Sequence, residues 1–445
     1  MTIYIDNLGL KSLRCWWSFR KKDITVFEEQ SCLKKFIFHF FSILGSSVTE
    51  KNFFLGDEDK KSKFSHYQEA TRFSFKLACE LANVYCRDGF VRDLNISFDR
   101  ETLRLSLTKF YQIELFEFSK RVILMRSLVP DGSLIYIKKP DSISRDFINQ
   151  SKLFENVFLY SNQSIISAKI HFIKKALFYK LRKIYLILIS LIRSNSIISE
   201  IEKKKIILST KEDSFRVSPE YRSQNFWLES DKDEVLYFIL DDIDSFGLSG
   251  KSIRHNNSIL LINIVLGQAL RKFHNSVSFK QINSYIKSLN LRSLYSSDTT
   301  KIIAYTRIIH LLEKSIEINS LAKLLKADTF IFKECHSIYS DAIQLKIPDS
   351  KIKTVAIQYS NLTTKNALMI STADKYLIFS DLYKDILSSE TFKPKEFVVT
   401  GYLYKQVAKL LETKSLQKRE QIKNKGAKLI IGYFDESVET DKWGL

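Results

Sequence analysis

The residues best suited to acid–base chemistry in this 445-residue chain lie in the sequence KECHS, where Glu334 and His336 flank Cys335. A carboxylate or an imidazole can act as a general base when it lies within hydrogen-bond distance of the proton that it removes. We therefore predict Glu334 or His336 as the catalytic base for a hydroxyl substrate. The structural alternative is a helix N-terminus, where the acid interacts with the helix dipole and the imidazole lies at the surface.

Further polar residues follow other β-type runs, at positions suited to binding a ligand. In open parallel sheets ligands lie at the carboxyl ends of the strands, so the residues directly after each run are candidates. The candidate binding residues are Gln358, Tyr359, Ser360, Ser380, Gly401, Tyr402, Asp435 and Glu436. A tyrosine packed beneath a helix and a solvated acidic turn are the structural alternatives for the aromatic and acidic members.

Common cofactor and metal motifs are missing from the sequence. No glycine lies between Gly267 and Gly401, whereas dinucleotide and P-loop sites need glycines so that the backbone can approach phosphate oxygens. The seven histidines and five cysteines show no HExxH motif and no regular metal-ligand spacing, and GxSxG is absent. We therefore predict no cofactor and no metal. The odd number of cysteines favours a reducing compartment.

The candidate residues follow a regular series of apolar runs that helical stretches separate. Near-continuous apolar strands alternating with helices are typical of a parallel sheet covered on both faces. The pattern predicts an α/β fold with a doubly wound parallel sheet. The β-type runs are Thr329–Cys335, Lys353–Tyr359, Lys375–Ser380, Glu396–Gly401 and Ala427–Phe434.

The rest of the chain has a different pattern. Residues 1–225 read as mostly helical, for example in SHYQEATRFSFKLACELANVYCRDGF. A second region opens with the β-type run Val235–Leu240, and SILLINIVLGQALRKFH after it reads as a buried helix. The predicted organisation is a helical region at 1–225, a Rossmann-like domain at 226–401, a linker helix at 402–425 and a new strand within 426–445.

The net charge of +19 and the pI near 9.4 indicate an anionic partner. The most basic amphipathic part of the chain is the segment Ser164–Ser199. This segment has seven Lys or Arg and no Asp or Glu around an apolar stripe formed by Ile173, Leu177, Leu181, Ile184, Leu188 and Ile192. Its longest apolar run is about half of the roughly 20 residues that a membrane-spanning helix needs. A core helix with outward lysines is the favoured interpretation, and a helix lying on an anionic membrane is the alternative.

Four stretches of the C-terminal part resemble bacterial surface-polysaccharide biosynthesis proteins of the two-Rossmann (GT-B) glycosyltransferase type. The resemblance is to the polysaccharide biosynthesis proteins named for a PFTS motif and, more distantly, to capsule and CDP-glycerol polymer transferases. It covers about a quarter of the chain, and the order of the pieces carries it more than any one of them. The pieces are VAIQYSN (355–361), ADKYLIFSDLYKDIL (373–387), VVTGY (398–402) and RE...GAKLIIGYFDES (419–437).

This resemblance implies a transfer of sugar from a nucleotide-sugar donor to a glycan or lipid-linked acceptor. A base in the first lobe deprotonates the acceptor hydroxyl, and helix N-termini and basic side chains stabilise the leaving diphosphate, usually without a metal. Ala427–Phe434 is then the first strand of the donor-binding lobe, of which only the start is present, and the letters PFTS occur nowhere in the sequence. On this interpretation the chain has little or no transferase activity.

Two other function classes stay open. A nucleic-acid-binding protein agrees with the net charge, but the basic residues are spread along the chain without an RRM, KH or zinc-finger signature. A non-catalytic membrane-surface scaffold rests on Ser164–Ser199. The N-terminal residues lack a continuous apolar signal region. We therefore expect a cytoplasmic protein, with a peripheral position on the inner membrane face if that segment binds lipid.

Overall fold

A computed structural model of the chain gives a mixed α/β protein in which helix outweighs strand. All strand pairs that it describes are parallel. The described residues are 2–5, 23–26, 48–50, 60–87, 100–130, 133–144, 147–148, 157–160, 164–192, 206–210, 235–239, 262–273, 275–332, 338–345, 351–358, 364–401 and 405–428.

The first parallel sheet uses five short strands from the N-terminal part of the chain. Their order across the sheet is β3-β2-β1-β4-β5, so the order reverses between β1 and β4. The prediction of a mostly helical region at 1–225 does not include this sheet, because its short strands lie far apart along the chain and no regular alternation of strand and helix marks them. The strands are β1 (Thr2–Ile5), β2 (Asp23–Val26), β3 (Val48–Glu50), β4 (Leu134–Lys138) and β5 (Val157–Tyr160).

The second parallel sheet has six strands in the order β11-β10-β9-β8-β6-β7, so its order reverses between β6 and β8. Four of these strands begin at the residues that the sequence predicts, and they end two or three residues earlier. The predicted domain boundary at 225 separates β6 from β7, its hydrogen-bonded neighbour. The strands are β6 (Ile206–Thr210), β7 (Val235–Ile239), β8 (Thr329–Phe332), β9 (Lys353–Ile357), β10 (Lys375–Ile378) and β11 (Glu396–Val399).

The described part of the chain contains eight α-helices. They confirm the helices predicted within 65–90, within SILLINIVLGQALRKFH and within 402–425. They are α1 (Lys60–Arg87), α2 (Arg100–Leu128), α3 (Ile165–Ile192), α4 (Ile262–Phe273), α5 (Val277–Tyr295), α6 (Thr299–Leu325), α7 (Ile338–Gln344) and α8 (Lys405–Asn424).

The connections of the second sheet differ from the predicted alternation of strand and helix. The short helix α7 lies between β8 and β9, but the described residues between the last three strands form 3₁₀ turns, at Ala367–Met369 and Asp381–Tyr383. The predicted strand Ala427–Phe434 lies, beyond residue 428, outside the described residues.

Helix α6 lies at the centre of the molecule and packs against α2, α3, α4, α5 and α7. It begins at an N-cap, Asp298, whose carboxylate accepts hydrogen bonds from the backbone N–H groups of Thr300 and Lys301. Helix α2 packs against α1 and β4 on one side and against α7 on the other. Ile135 of β4 and Phe330 of β8 therefore belong to one continuous hydrophobic core. Among the described helices, none is long and apolar enough to cross a membrane.

Candidate functional site

Most residues predicted to do chemistry lie outside the described part of the chain. They are Glu334, His336, Tyr359, Ser360, Tyr402, Asp435 and Glu436. The strand that Glu334 and His336 follow is β8, which pairs with β6 at the point where the order of the second sheet reverses. Open parallel sheets bind ligands at such points, so the sheet topology agrees with the prediction that Glu334 or His336 is the catalytic base.

Three predicted binding residues, Gln358, Ser380 and Gly401, lie side by side at the carboxyl ends of β9, β10 and β11. Gln358 is buried, and its side-chain oxygen accepts a hydrogen bond of 2.8 Å from the backbone N–H of Phe379. Ser380 is the N-cap of a 3₁₀ turn and is half-buried. Gly401 has φ of +78°, which L-residues rarely adopt. This hydrogen bond connects the end of β9 to the end of β10, so the Gln358 side chain stabilises the sheet.

A cleft of about 350 Å³ opens beyond the carboxyl end of β4, one of the two strands between which the first sheet reverses its order. We call it the first-sheet cleft. It is a place where open parallel sheets bind ligands, and it collects titratable side chains from four separate elements. Its polar and charged lining residues are Glu114 of α2, Asp141 and Ser142 after β4, His171 and Lys175 of α3, and Thr306, Arg307 and His310 of α6.

The Glu114 carboxyl of the first-sheet cleft is largely buried and has a perturbed pKa. Burial raises the pKa of the Glu114 carboxyl above its usual value, and the neighbouring Asp141 adds to this, whereas the hydroxyl of Ser142 and the charge of Lys138 act in the opposite direction. The Ser142 hydroxyl donates to a Glu114 oxygen over 3.4 Å. A carboxyl group whose pKa is raised by burial is suited to general acid–base work.

A buried cation lies beside these carboxyl groups. Arg307 is mostly buried, and its Nη2 lies 3.7 Å from an oxygen of Asp341, whose other oxygen accepts a 2.6 Å hydrogen bond from Lys109. The Arg307 guanidinium lies 5.7 Å from the centroid of the Phe110 ring. Its Nε has no hydrogen-bond partner among the described residues. A buried guanidinium donor of this kind, at a cleft, is suited to an anionic oxygen of a ligand.

The two histidines of the cleft lie on facing helices. Burial lowers the pKa of His171, and the charges of Lys175 and Lys174 lower it further. The imidazole of His310 packs against the ring of Tyr179, with the ring centroids 5.1 Å apart. The lowered pKa favours the neutral form of the His171 imidazole, which can accept or donate a proton.

A second cleft, of about 570 Å³, lies where α3, α5 and α6 meet, and Tyr179 also lines it. We call it the basic cleft. Four lysines line it, together with amide side chains and a single acidic residue, Glu313. Burial raises the pKa of the Glu313 carboxyl, and Glu317 adds to this, while Lys183 and Lys314 oppose it. The lysines are Lys180, Lys183, Lys280 and Lys287, and the amides are Asn275, Asn283 and Asn290.

None of the site residues predicted from the sequence is among the residues that line the first-sheet cleft. Glu114, Asp141 and Arg307 lie far apart along the chain, so no local motif marks them. The available signal was the presence of charged residues inside apolar helical stretches, such as Lys109 in α2, since burying a charge is costly unless it is paired. In the described part of the chain, no group of His, Cys, Asp and Glu residues is arranged to hold a metal ion.

Comparison with known proteins gives no match: no protein family, curated protein or solved structure is similar to this chain at a significant level.

Proposed function

We propose that the protein transfers a sugar from a nucleotide-sugar donor to a hydroxyl group of a glycan or lipid-linked acceptor. The resemblance to GT-B-type glycosyltransferases suggests this reaction. The observation that carries the proposal is the first-sheet cleft, where a carboxyl group with a raised pKa, Glu114, and a guanidinium with an unused donor, Arg307, line one cavity.

The two sheets support the proposal at the level of the fold. Numbered along the chain within each sheet, their strand orders are 3-2-1-4-5 and 2-1-3-4-5-6. Both orders resemble those of doubly wound sheets, in which a ligand site lies at the reversal of strand order. We propose that these are the two Rossmann-like lobes of the transferase. On this proposal the donor-binding lobe is one of the two described sheets, whereas the sequence predicts that this lobe begins within 426–445.

In the proposed reaction Glu114 removes the proton from the acceptor hydroxyl. The acceptor oxygen then forms a bond to the anomeric carbon of the donor, while the bond from that carbon to the diphosphate oxygen breaks. The leaving diphosphate keeps the electron pair of the broken bond. Its negative charge is stabilised by Arg307, and the lysines of the basic cleft bind other anionic groups of the substrates.

The base predicted from sequence, Glu334 or His336, remains the alternative at the reversal point of the second sheet. The two assignments differ in which variant stops transfer, so one experiment tests both. The full chain is incubated with a set of nucleotide sugars and an acceptor mixture, and release of nucleoside diphosphate is measured. We expect Glu114→Gln to lower the rate by about 100-fold or more, the range of general-base catalysis.

The matched control is Glu117→Gln, because Glu117 lies one turn further along α2 and is exposed. This variant should keep the full rate. In the wild type the rate should rise as the pH rises through the raised pKa of Glu114, since the carboxylate is the active form. That dependence should disappear in Glu114→Gln.

Two outcomes contradict parts of the proposal. A full rate in Glu114→Gln together with loss of transfer in Glu334→Gln or His336→Ala would move the base to the second sheet and leave the reaction standing. If the wild-type chain neither binds nor turns over any nucleotide sugar of the set, the sugar-transfer function is wrong.

A further inference from the structure

Helix α3 carries a continuous row of exposed apolar side chains on its outer face. Each of the eight residues is between 49% and 71% exposed, and their spacing of three or four residues places them on one side of the helix. Over 25 residues at 1.5 Å each, the row is roughly 38 Å long. The residues are Ile166, Ile170, Ile173, Leu177, Leu181, Ile184, Leu188 and Leu191.

The opposite face of α3 already serves the hydrophobic core. Ala168, Phe172, Tyr179 and Leu186 are buried there, against α4 and α6. At about 100° per residue these positions lie on the side of the helix away from the exposed row. The row is therefore a second apolar face, and it stays exposed while the opposite face packs against the described helices. Soluble proteins rarely expose apolar patches larger than a few hundred Å², and larger ones usually mark an interaction site.

The borders of the row are positively charged. Lys174 flanks it on one side, and Lys169 and Lys180 flank it on the other, as the spacing along the helix requires. Helix α3 contains no acidic residue. An apolar stripe bordered by lysines has the composition of helices that lie in the interface of membranes containing anionic lipid.

We infer that the exposed row of α3 docks on the surface of an anionic phospholipid bilayer, with the helix parallel to the membrane plane. The apolar side chains would enter the boundary between headgroups and acyl chains, and the flanking lysines would contact lipid phosphates. A second copy of this chain fits the row less well, because the lysines that border the row on one copy would face the same lysines on the other copy. The inference does not depend on sugar transfer.

The first test is sedimentation of the full chain with vesicles made of equal parts phosphatidylglycerol and phosphatidylcholine. The variant Leu177→Asp/Leu181→Asp should bind the vesicles at least about 25-fold more weakly, since burying each leucine in the bilayer raises the affinity by about fivefold or more. The matched control is Val277→Asp/Leu382→Asp, which makes the same charge change at exposed apolar positions elsewhere. It should bind within about twofold of the wild type. Thermal unfolding of each variant identifies any loss of folding.

The second test separates charge from apolar burial. Lys169→Glu/Lys174→Glu should weaken binding by about fivefold or more for each lysine, whereas Lys365→Glu/Lys393→Glu, at exposed lysines outside α3, should have a small effect. Wild-type binding should fall with added salt and be weak on vesicles of phosphatidylcholine alone.

The inference is overturned if the wild type binds neither vesicle, or if the α3 variants bind as well as their controls. Equal binding to neutral and anionic vesicles would also contradict it. Light scattering gives the remaining outcome: a wild-type dimer that Leu177→Asp/Leu181→Asp converts to a monomer, without lipid binding, would assign the row to a second copy of the chain.

Discussion

The two faces of α3 differ in how their residues relate to the fold. The inner face buries small and aromatic side chains together with a charged one, Arg182, whereas the outer face exposes a row of isoleucine and leucine. Arg182 donates from Nε to an oxygen of Glu317 over 3.2 Å, and Lys314 approaches the other oxygen at 3.4 Å. The more apolar face is thus the exposed one. Apolar character alone does not identify the side of a helix that faces the core.

This difference corrects the interpretation that the sequence favours. The stripe expected in the core includes Ile173, Leu177, Leu181, Ile184 and Leu188, and all five are exposed. The buried positions follow the same helical period on the other side, but they include alanine, serine and arginine, which do not mark a core in a sequence. Because both faces of the helix are partly apolar, the helical periodicity of the sequence could not show which face is buried.

The largest expected effect comes from Glu317→Met, which tests the buried charges that hold the inner face. Without this carboxylate, Arg182 and Lys314 stay buried and lose the counter-charge that contacts both of them, so we expect a loss of about 3–5 kcal/mol in the free energy of unfolding. Chemical denaturation measures it. Lys174→Met, on the exposed side of α3, is the control and should change stability by less than about 0.5 kcal/mol.

Arg182→Met sharpens this test, because Glu317 would keep its contact with Lys314. Its cost should be clearly smaller than that of Glu317→Met. Replacing all three residues with methionine should restore most of the stability, since buried ionic groups can often be replaced by apolar side chains of similar size. Equal losses in Arg182→Met and Glu317→Met would show that the two residues act as an isolated pair.

A second prediction compares the same substitution on the two faces of α3. Leu186 is 0% exposed and Leu188 is 54% exposed. Leu186→Ala should lower the free energy of unfolding by about 2–5 kcal/mol because it leaves a cavity in the core. Leu188→Ala should change it by less than about 0.5 kcal/mol. Thermal or urea unfolding measures both, and similar losses would mean that the outer face is covered in solution.

The sequence predicts much of the second sheet and little of the first. The strands β8 to β11 each begin with a polar residue and continue as a largely apolar run, so their first residues could be read directly. The run Thr2–Ile5 has only four residues, and its pairing with β4, more than 100 residues away, follows from tertiary packing. Glu114, Asp141 and Arg307 line one cleft for the same reason, because α2 packs against both β4 and α6.

The third and smallest predicted effect concerns Gly267, where α4 approaches the inner face of α3. A methyl group at this position would overlap the carbonyl group of Leu186, with its carbon 2.6 Å away, and would lie 2.9 Å from Cβ of Ser190. In an exposed helix, alanine is favoured over glycine by about 1 kcal/mol. Gly267→Ala should instead lower the free energy of unfolding by about 1–3 kcal/mol, because the two helices must move apart. Adding Ser190→Gly should rescue little of this loss, since the overlap with the backbone carbonyl remains. If Gly267→Ala were stabilising in denaturant unfolding, α3 and α4 would not pack this closely, and the inner face of α3 would be no more fixed than its outer face.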